Sequence, residues 1–371
     1  MSAVLAEMHA MAERYFRARL PGSWVPGYLA ARGLGAALRG DWGIGYAPGR
    51  WTGLVRYLRG LGYADADIVE SGLGKPARGG GLIDRFRDRA MMPVRTADGT
   101  TIAFIGRAGP WRPERAPKYL NSPHTPLYTK GATLYGLDVA LPRLAAGAVP
   151  VIVEGTLDAI AVTLADPYAV YAALAPSGTA LTRRQLDLLG GRPVTLAFDA
   201  DDAGLRAALR ASALLPPYAT RALLPHGHDP AGLLQDRGPY ALRAALADRR
   251  PLAELRLDDH LAGTAGQPRW YRRDRAAALI AARTPPDAAA AVARANAPAG
   301  DPTAYPYLAP LDAARLLPAV TAGLVVRAAE DIGITATELT IALVTALSDG
   351  AGSPRSSRPR AGTLPGAARP A

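Results

Sequence analysis

Two strand-like stretches of this sequence end in carboxylates placed where they could do chemistry. The apolar run "VPVIV" (149–153) leads into Glu154-Gly155. The run "PVTLAF" (193–198) leads into Asp199, with Asp201 and Asp202 close behind it. Like charges so near one another repel, and the edge of a core is a poor place to solvate them, so the group needs a positive partner. Neither stretch supplies a protein cation. Oxygen donors without His or Cys suit Mg²⁺ or Mn²⁺, which keep several waters and bridge to phosphate. One or two such ions would orient a nucleotide's phosphates and stabilise both oxygens of an in-line displacement. Asp199 and Asp201, two residues apart, point to one side of an extended backbone. Asp202 stands just before a helical pattern and is expected to be its N-cap rather than a ligand. The competing reading is a set of solvated loop carboxylates, and two matched strand ends weigh against it.

Such acids converge only if their strands are neighbours. From residue 149 short apolar strands alternate with amphipathic helices: "VPVIVEG", "TLDAIAVTLA", "AVYAALAPSG", "TRRQLDLLG", "PVTLAFD", "AGLRAALRASALL", "ATRALLP". That alternation implies a parallel sheet covered on both faces, with functional groups collecting at the carboxyl ends of its strands. The fold class expected is α/β within an α+β multidomain chain. A mixed subdomain over 1–148 precedes a Rossmann-like sheet over 149–239. A helical region follows over 240–350, broken by loops near 264–269, 284–286 and 297–309, and then a tail over 351–371 too poor in apolar residues to fold. Within the first part, "MMPVRTADGTTIAFIGRA" reads as two strands turning at Asp98-Gly99, and the proline-rich stretch after it as an extended loop.

Charge points to the partner. The chain of 371 residues carries a net charge of +11. Between Lys75 and Lys130 eleven Lys/Arg face four acids, so more than half of the excess lies in about a seventh of the length. All three lysines of the protein sit there. A basic segment of this kind suits a polyanion; a merely solvated basic face is the alternative. There are no cysteines, which excludes disulfides and a thiolate zinc site, and the five histidines are scattered. No run is long and apolar enough to cross a membrane, and the N-terminus lacks signal-peptide features, so a cytoplasmic protein is expected.

The pairing of Glu154-Gly155 with "FDADDAG" 45 residues later resembles a Toprim domain, a fold shared by primases, topoisomerases and nucleases. The neighbouring stretches narrow the choice. "PKYLNSPHTPLYTKGATLYGLDVA", "IDRFRDRAMMPVRTADGTTIAFIGR", "SGTALTRRQLDLL" and "WGIGYAPGRW" resemble bacterial DnaG-type primases, in the right order, over roughly residues 8–235. The resemblance implies DNA-templated RNA primer synthesis. It assigns Glu154, Asp199 and Asp201 as catalytic metal ligands for Mg²⁺ or Mn²⁺, and Asp158 as the acid on the first Toprim helix. Arg89, Arg107, Lys118, Asn121 and Lys130 would line the cleft for single-stranded DNA and ribonucleoside triphosphates, while Arg85, Arg87 and Arg112 are open between that role and plain surface charge.

The departures are equally informative. Without cysteine no zinc ribbon is expected, so template choice would fall to a separate protein, to weaker core contacts, or be relaxed. Such a short form suggests a phage, plasmid or mobile-element setting. In "HGHDPAGLL" Asp229 matches the first acid of the family's Asp-Pro-Asp and is a further candidate metal ligand, but Ala231 replaces the second. His226 and His228 read as exposed loop histidines. The region after 255 carries no recognisable helicase-binding module, although a replicative helicase remains a candidate partner. Two other functions use the same residues: a Toprim-type nuclease, and a non-catalytic DNA-binding accessory protein.

Overall fold

The computed structural model describes residues 2–111, 116–178, 180–216, 218–295 and 314–350. Arg112, the stretch 297–309 and the tail 351–371 lie outside the described residues. The chain divides into two compact units between Arg256 and Leu257.

The first unit holds both sheets. Helix α1 (Ser2–Arg17) is followed by α2 (Val25–Ala31), strand β1 (Gly45–Ala47), α3 (Gly53–Gly60), α4 (Asp65–Glu70) and a small hairpin of β2 (Gly74–Pro76) and β3 (Leu82–Asp84). Strands β4 (Arg89–Arg95) and β5 (Thr101–Ala108) are the expected pair, turning through Gly99 at φ +83°. With β1 and β6 (Tyr119–Asn121) they make a four-stranded antiparallel sheet ordered β1-β4-β5-β6. Every residue of β5 is buried, because both of its faces are covered. The two-residue period of the strand sends Met91 and Phe104 into a core with Met8 and Phe16 of α1. It sends Ala90, Met92, Val94 and Ile105 into another core shared with the second sheet.

That second sheet runs β7 (Leu134–Tyr135), α5 (Leu137–Ala145), β8 (Val149–Ile152), α6 (Thr156–Ala165), β9 (Tyr171–Pro176), α7 (Arg183–Asp187), β10 (Thr195–Leu196), α8 (Asp202–Ser212), β11 (Thr220–Ala222), α9 (Pro230–Ala247) and β12 (Arg249–Pro251). Its order is β12-β11-β10-β8-β9-β7. The four central strands are parallel and the two edge strands antiparallel. Alternation again splits each strand between two cores. Val151 and Ala173 pack with α6 and α9, whereas Ile152 and Leu174 pack with α5, α7 and α8. The parallel, doubly covered sheet expected from the sequence is present, and β8 and β10 are hydrogen-bonded neighbours with Val151 opposite Thr195.

The helices expected from 240 onward divide between the units. Leu242 and Leu246 of α9 are buried in the first unit's core. The second unit takes up the end of α10 (Leu252–Gly263), then α11 (Arg269–Ala281), α12 (Pro286–Ala295), α13 (Ala319–Ile332) and α14 (Ala336–Gly350). Its core is built from Ala276, Ile280, Leu324, Ala328 and Leu339, all buried. Among the described residues no helix is long and apolar enough to cross a membrane.

Candidate functional site

The register of β8 against β10 fixes the geometry of the acids. Ile152 lies opposite Leu196, so Glu154 and Asp199 leave the sheet at the same edge. The Asp199 amide donates to Glu154 Oε1 at 3.1 Å, which ties the two strand ends together. Asp199 is half-buried, and its Oδ1 is buried with no partner among the described residues. Its carboxyl is pushed up to about 7, first by burial and then by the charges of Glu154, Asp229 and Asp201, with Lys118 acting the other way. Glu154 is raised by desolvation of its carboxyl and by the charges of Asp201 and Asp229.

Asp201, not Asp202, caps α8. Its backbone is extended (φ −133°, ψ 177°) and its side chain accepts from the Gly204 amide at 2.7 Å. Asp202 is already the first helical residue, which corrects the expected cap by one position. A terminal amide of the helix has to find an acceptor, and only the non-helical residue can fold its side chain back to it. Gly204 is required by close approach: a Cβ there would stand 2.1 Å from the Asp199 carbonyl oxygen and 2.9 Å from Glu154 Oε1. Gly204→Ala is therefore expected to cost about 3 kcal/mol, because backbone rather than a flexible side chain must yield. Thermal unfolding checks this, and a change within about 0.5 kcal/mol would contradict the packing.

Asp229, on the loop before α9, and Asp158, on α6, stand close enough for their charges to act on this group. The Ala200 amide donates to the His228 carbonyl and the Gly227 amide to the Ala200 carbonyl, each at 2.9 Å, so the aspartate loop is stitched to the loop before α9. There Asp229 is the N-cap of α9, accepting from Gly232. Asp158, on α6 and buried, accepts from the Ala231 amide at 3.1 Å. Burial, followed by the charge of Asp229, pushes it up to about 8. His226 is exposed, and His228 faces Asp236 at 3.4 Å instead of the acids.

The donor set is all oxygen, and the acids raise one another's pKa values, which is the electrostatic setting a divalent cation relieves. Four of the five carboxylates each accept a backbone amide: Glu154 from Asp199, Asp201 from Gly204, Asp229 from Gly232 and Asp158 from Ala231. Among the described residues no group of three His, Cys, Asp or Glu side chains is arranged as they stand to hold an ion. The residues fit the ion by chemistry and charge, with Asp199 Oδ1 the orphaned atom it would satisfy.

The expected cleft cations separate into two kinds. Arg89 is buried and donates to the carbonyls of Gly106 at 3.0 Å and Pro117 at 3.0 Å. Arg107 is also buried, donating to the Ala108 carbonyl with its guanidinium over the Tyr28 ring. Arg85 donates to the Asn121 carbonyl. Asn121 in turn donates to the Ser177 carbonyl at 2.8 Å, joining the first sheet to the loop after β9. These groups hold the scaffold. Lys118 is exposed, and Lys130 begins a short turn over Lys130–Ala132 whose carbonyl accepts from Gln185.

Comparison with known proteins identifies the two parts of the chain that carry these residues. Residues 16–141 match a family model described as DNA primase catalytic core, N-terminal domain, and residues 151–234 match one described as Toprim-like. A DNA primase of Streptomyces coelicolor is 36% identical over 267 residues, covering 68% of this chain and 41% of that protein. The RNA polymerase domain of Mycobacterium tuberculosis primase DnaG, solved with a double-stranded DNA oligomer carrying a 6-nucleotide overhang, is 31% identical with a TM-score of 0.63, covering 70% of this chain and 84% of that one. The chain belongs to the DnaG primase family. The same mycobacterial domain with double-stranded DNA aligns over 90% of this primase-family chain and 99% of its own, at 27% identity and a TM-score of 0.68. The family likeness therefore continues past residue 255, where the sequence alone carried none. This DnaG-family chain spans about two-fifths of the length of the curated primases it matches.

Proposed function

We propose that the chain is a primase catalytic core that synthesises short RNA on single-stranded DNA. The observation that carries the reading is the convergence of Glu154, Asp199 and the Asp201 loop at adjacent parallel strand ends, in a chain of the DnaG primase family. Glu154, Asp199 and Asp201 would hold Mg²⁺ or Mn²⁺, with Asp229 a further candidate ligand and Asp158 adding its charge nearby. Bound there, the ion would supply charge stabilisation for nucleotidyl transfer.

The chain's own residues do the rest. Lys118, exposed and close enough for its charge to reach Asp199, suits a phosphate of the template or the incoming nucleotide. The Asn121–Ser177 bond ties β6, the strand that follows Lys118, to the loop after β9. Because phosphoryl transfer depends mainly on positioning and electrostatics, no further protein base is required.

Incubation with single-stranded DNA, labelled ribonucleotides and Mg²⁺ tests the reading. Alkali-labile products complementary to the template are expected. Shortened DNA would mean a metal-dependent nuclease, and binding with neither product an accessory protein. Lys118→Ala is expected to weaken DNA binding for every sequence and to reduce the salt slope by about 0.7, the value for one phosphate contact on a single strand. An unchanged slope in a salt titration would remove Lys118 from the cleft.

A further inference from the structure

A cavity of about 540 Å³ opens beside Glu154, between the loop after β9, the end of β10 and helix α8. Leu181, Phe198 and Leu214 give it apolar walls. Ala207, Arg210 and Ala211 line it from α8, where spacings of three and four residues put them on one face. Among the described residues that line it, Glu154 is the single acid and Arg210 the single cation. Arg210 is exposed, and among the described residues it is in no ion pair. Its charge nonetheless acts on Glu154, as the charge of Lys118 acts on Asp199. Acid and cation thus share one cavity without closing on each other, and the guanidinium is left to answer an anion from outside.

The two cations belong to opposite faces of the second sheet. Lys118 leads into β6 of the first sheet, which shares a core with Val151 and Ala173. Arg210 is on α8, whose Ala208 and Ala211 pack with Ile152 and Leu174 on the other face. Nucleotidyl transfer asks for charge on two sides, because the attacking and leaving oxygens stand in line across the reacting phosphorus. A planar guanidinium fork matches phosphate oxygens, and apolar walls that exclude water strengthen a charge held against them. Lys118 lies on the side of the basic segment, where the template is expected. Arg210 lies on the side left for the group that departs.

We propose that Arg210 holds the β- and γ-phosphates of the incoming nucleotide, and that the cavity beside it receives the pyrophosphate they become. The inference rests on the primase reading for the reaction itself. In that reaction the primer's 3′-oxygen bonds to the α-phosphorus as its proton passes to solvent. The bond from the α-phosphorus to the bridging oxygen breaks, and pyrophosphate leaves with that electron pair. Negative charge grows on the leaving oxygen, where a fixed guanidinium stabilises the transition state more than the ground state.

Inhibition of primer synthesis by added pyrophosphate tests it, with Mg²⁺ held in excess. The variants are Arg210→Ala, Arg210→Lys and Arg206→Ala. Arg206 is an exposed arginine one turn earlier on α8 that does not line the cavity, so its loss matches the change in charge alone. Arg210→Ala is expected to raise the inhibition constant of pyrophosphate at least about tenfold, the loss of one charge-assisted phosphate contact, and to lower kcat with it. Arg210→Lys, which keeps the charge without the fork, should recover part of both. Affinity for single-stranded DNA and the melting temperature should match the wild type in all three variants, and Arg206→Ala should leave the inhibition constant unchanged. An inhibition constant unmoved by Arg210→Ala, or moved equally by Arg206→Ala, overturns the assignment while the primase reading stands. A fall in kcat with that constant unmoved also overturns it, since Arg210 would then act only on Glu154. A wild type that makes no primer sinks the primase reading, and this inference with it.

Discussion

Asp199→Ala is expected to lower primer synthesis by at least about 10²–10³-fold while the protein stays folded and keeps its affinity for DNA. The rate loss follows from removing the half-buried carboxylate whose orphaned oxygen faces the proposed ion, since taking one such group from a preorganised charged site costs that order of magnitude. Binding is expected to persist because phosphate contacts come from cations and not from this acid. Stability should hold or rise. In the metal-free protein Asp199 is pressed by Glu154, Asp229 and Asp201, and burial opposes its charge further. Primer-synthesis rates read beside thermal melts check both halves. Retention of more than about a tenth of the activity would take Asp199 out of the reaction, and a large drop in melting temperature would make the loss one of folding.

The second expected result concerns Asp158. Its folded-state pKa is raised to about 8 against an ordinary 3.8, with burial the main cause. Below pH 3.8 the group is neutral in both states and the folded state carries no penalty. As the pH rises towards 8 the unfolded chain ionises freely while the folded one resists, so stability is lost through that window and the loss is complete above it. Asp158→Asn removes the titration and can still accept the Ala231 amide through its own Oδ1. The metal-free variant should match the wild type near pH 4 and exceed it at pH 8–9 by about 3 kcal/mol, a figure reduced from the roughly 1.4 kcal/mol per unit of pKa to allow for relaxation. Denaturant unfolding across that range checks it. A constant difference between the two proteins at all pH values would contradict the assignment.

The strand ends and their neighbours were legible because the physical signals there are redundant. Apolar runs of strand length, helices between them and glycine turns all require one doubly covered sheet; that β8 lies beside β10, the condition for the acids to converge, is settled only by the fold. The capping of α8 was not legible to the residue. Asp201 and Asp202 are equally good caps by type, and the choice depends on where the backbone turns helical, which the close packing of Gly204 on Asp199 decides. Arg89 and Arg107 show a different gap. The resemblance assigns them to the cleft, while the fold buries their guanidinium groups against carbonyls and, for Arg107, over the Tyr28 ring, contacts that no local sequence signal shows. The second unit was opaque because an Ala- and Leu-rich helical run reports its period and little else. Its relationship to the family emerges from three-dimensional alignment, not from any motif.

The central claim is that Glu154, Asp199 and Asp201 share a divalent ion. Calorimetric titration of the metal-free protein with Mn²⁺ at pH 7, in two buffers of different ionisation heat, addresses it without relying on catalysis. Binding should be accompanied by proton release, because Asp199 and Asp158 are partly protonated at that pH, and Glu154→Gln and Asp199→Asn should each weaken it at least about tenfold. Mn²⁺ affinity unchanged in both variants, with no proton released by the wild type, would contradict the account.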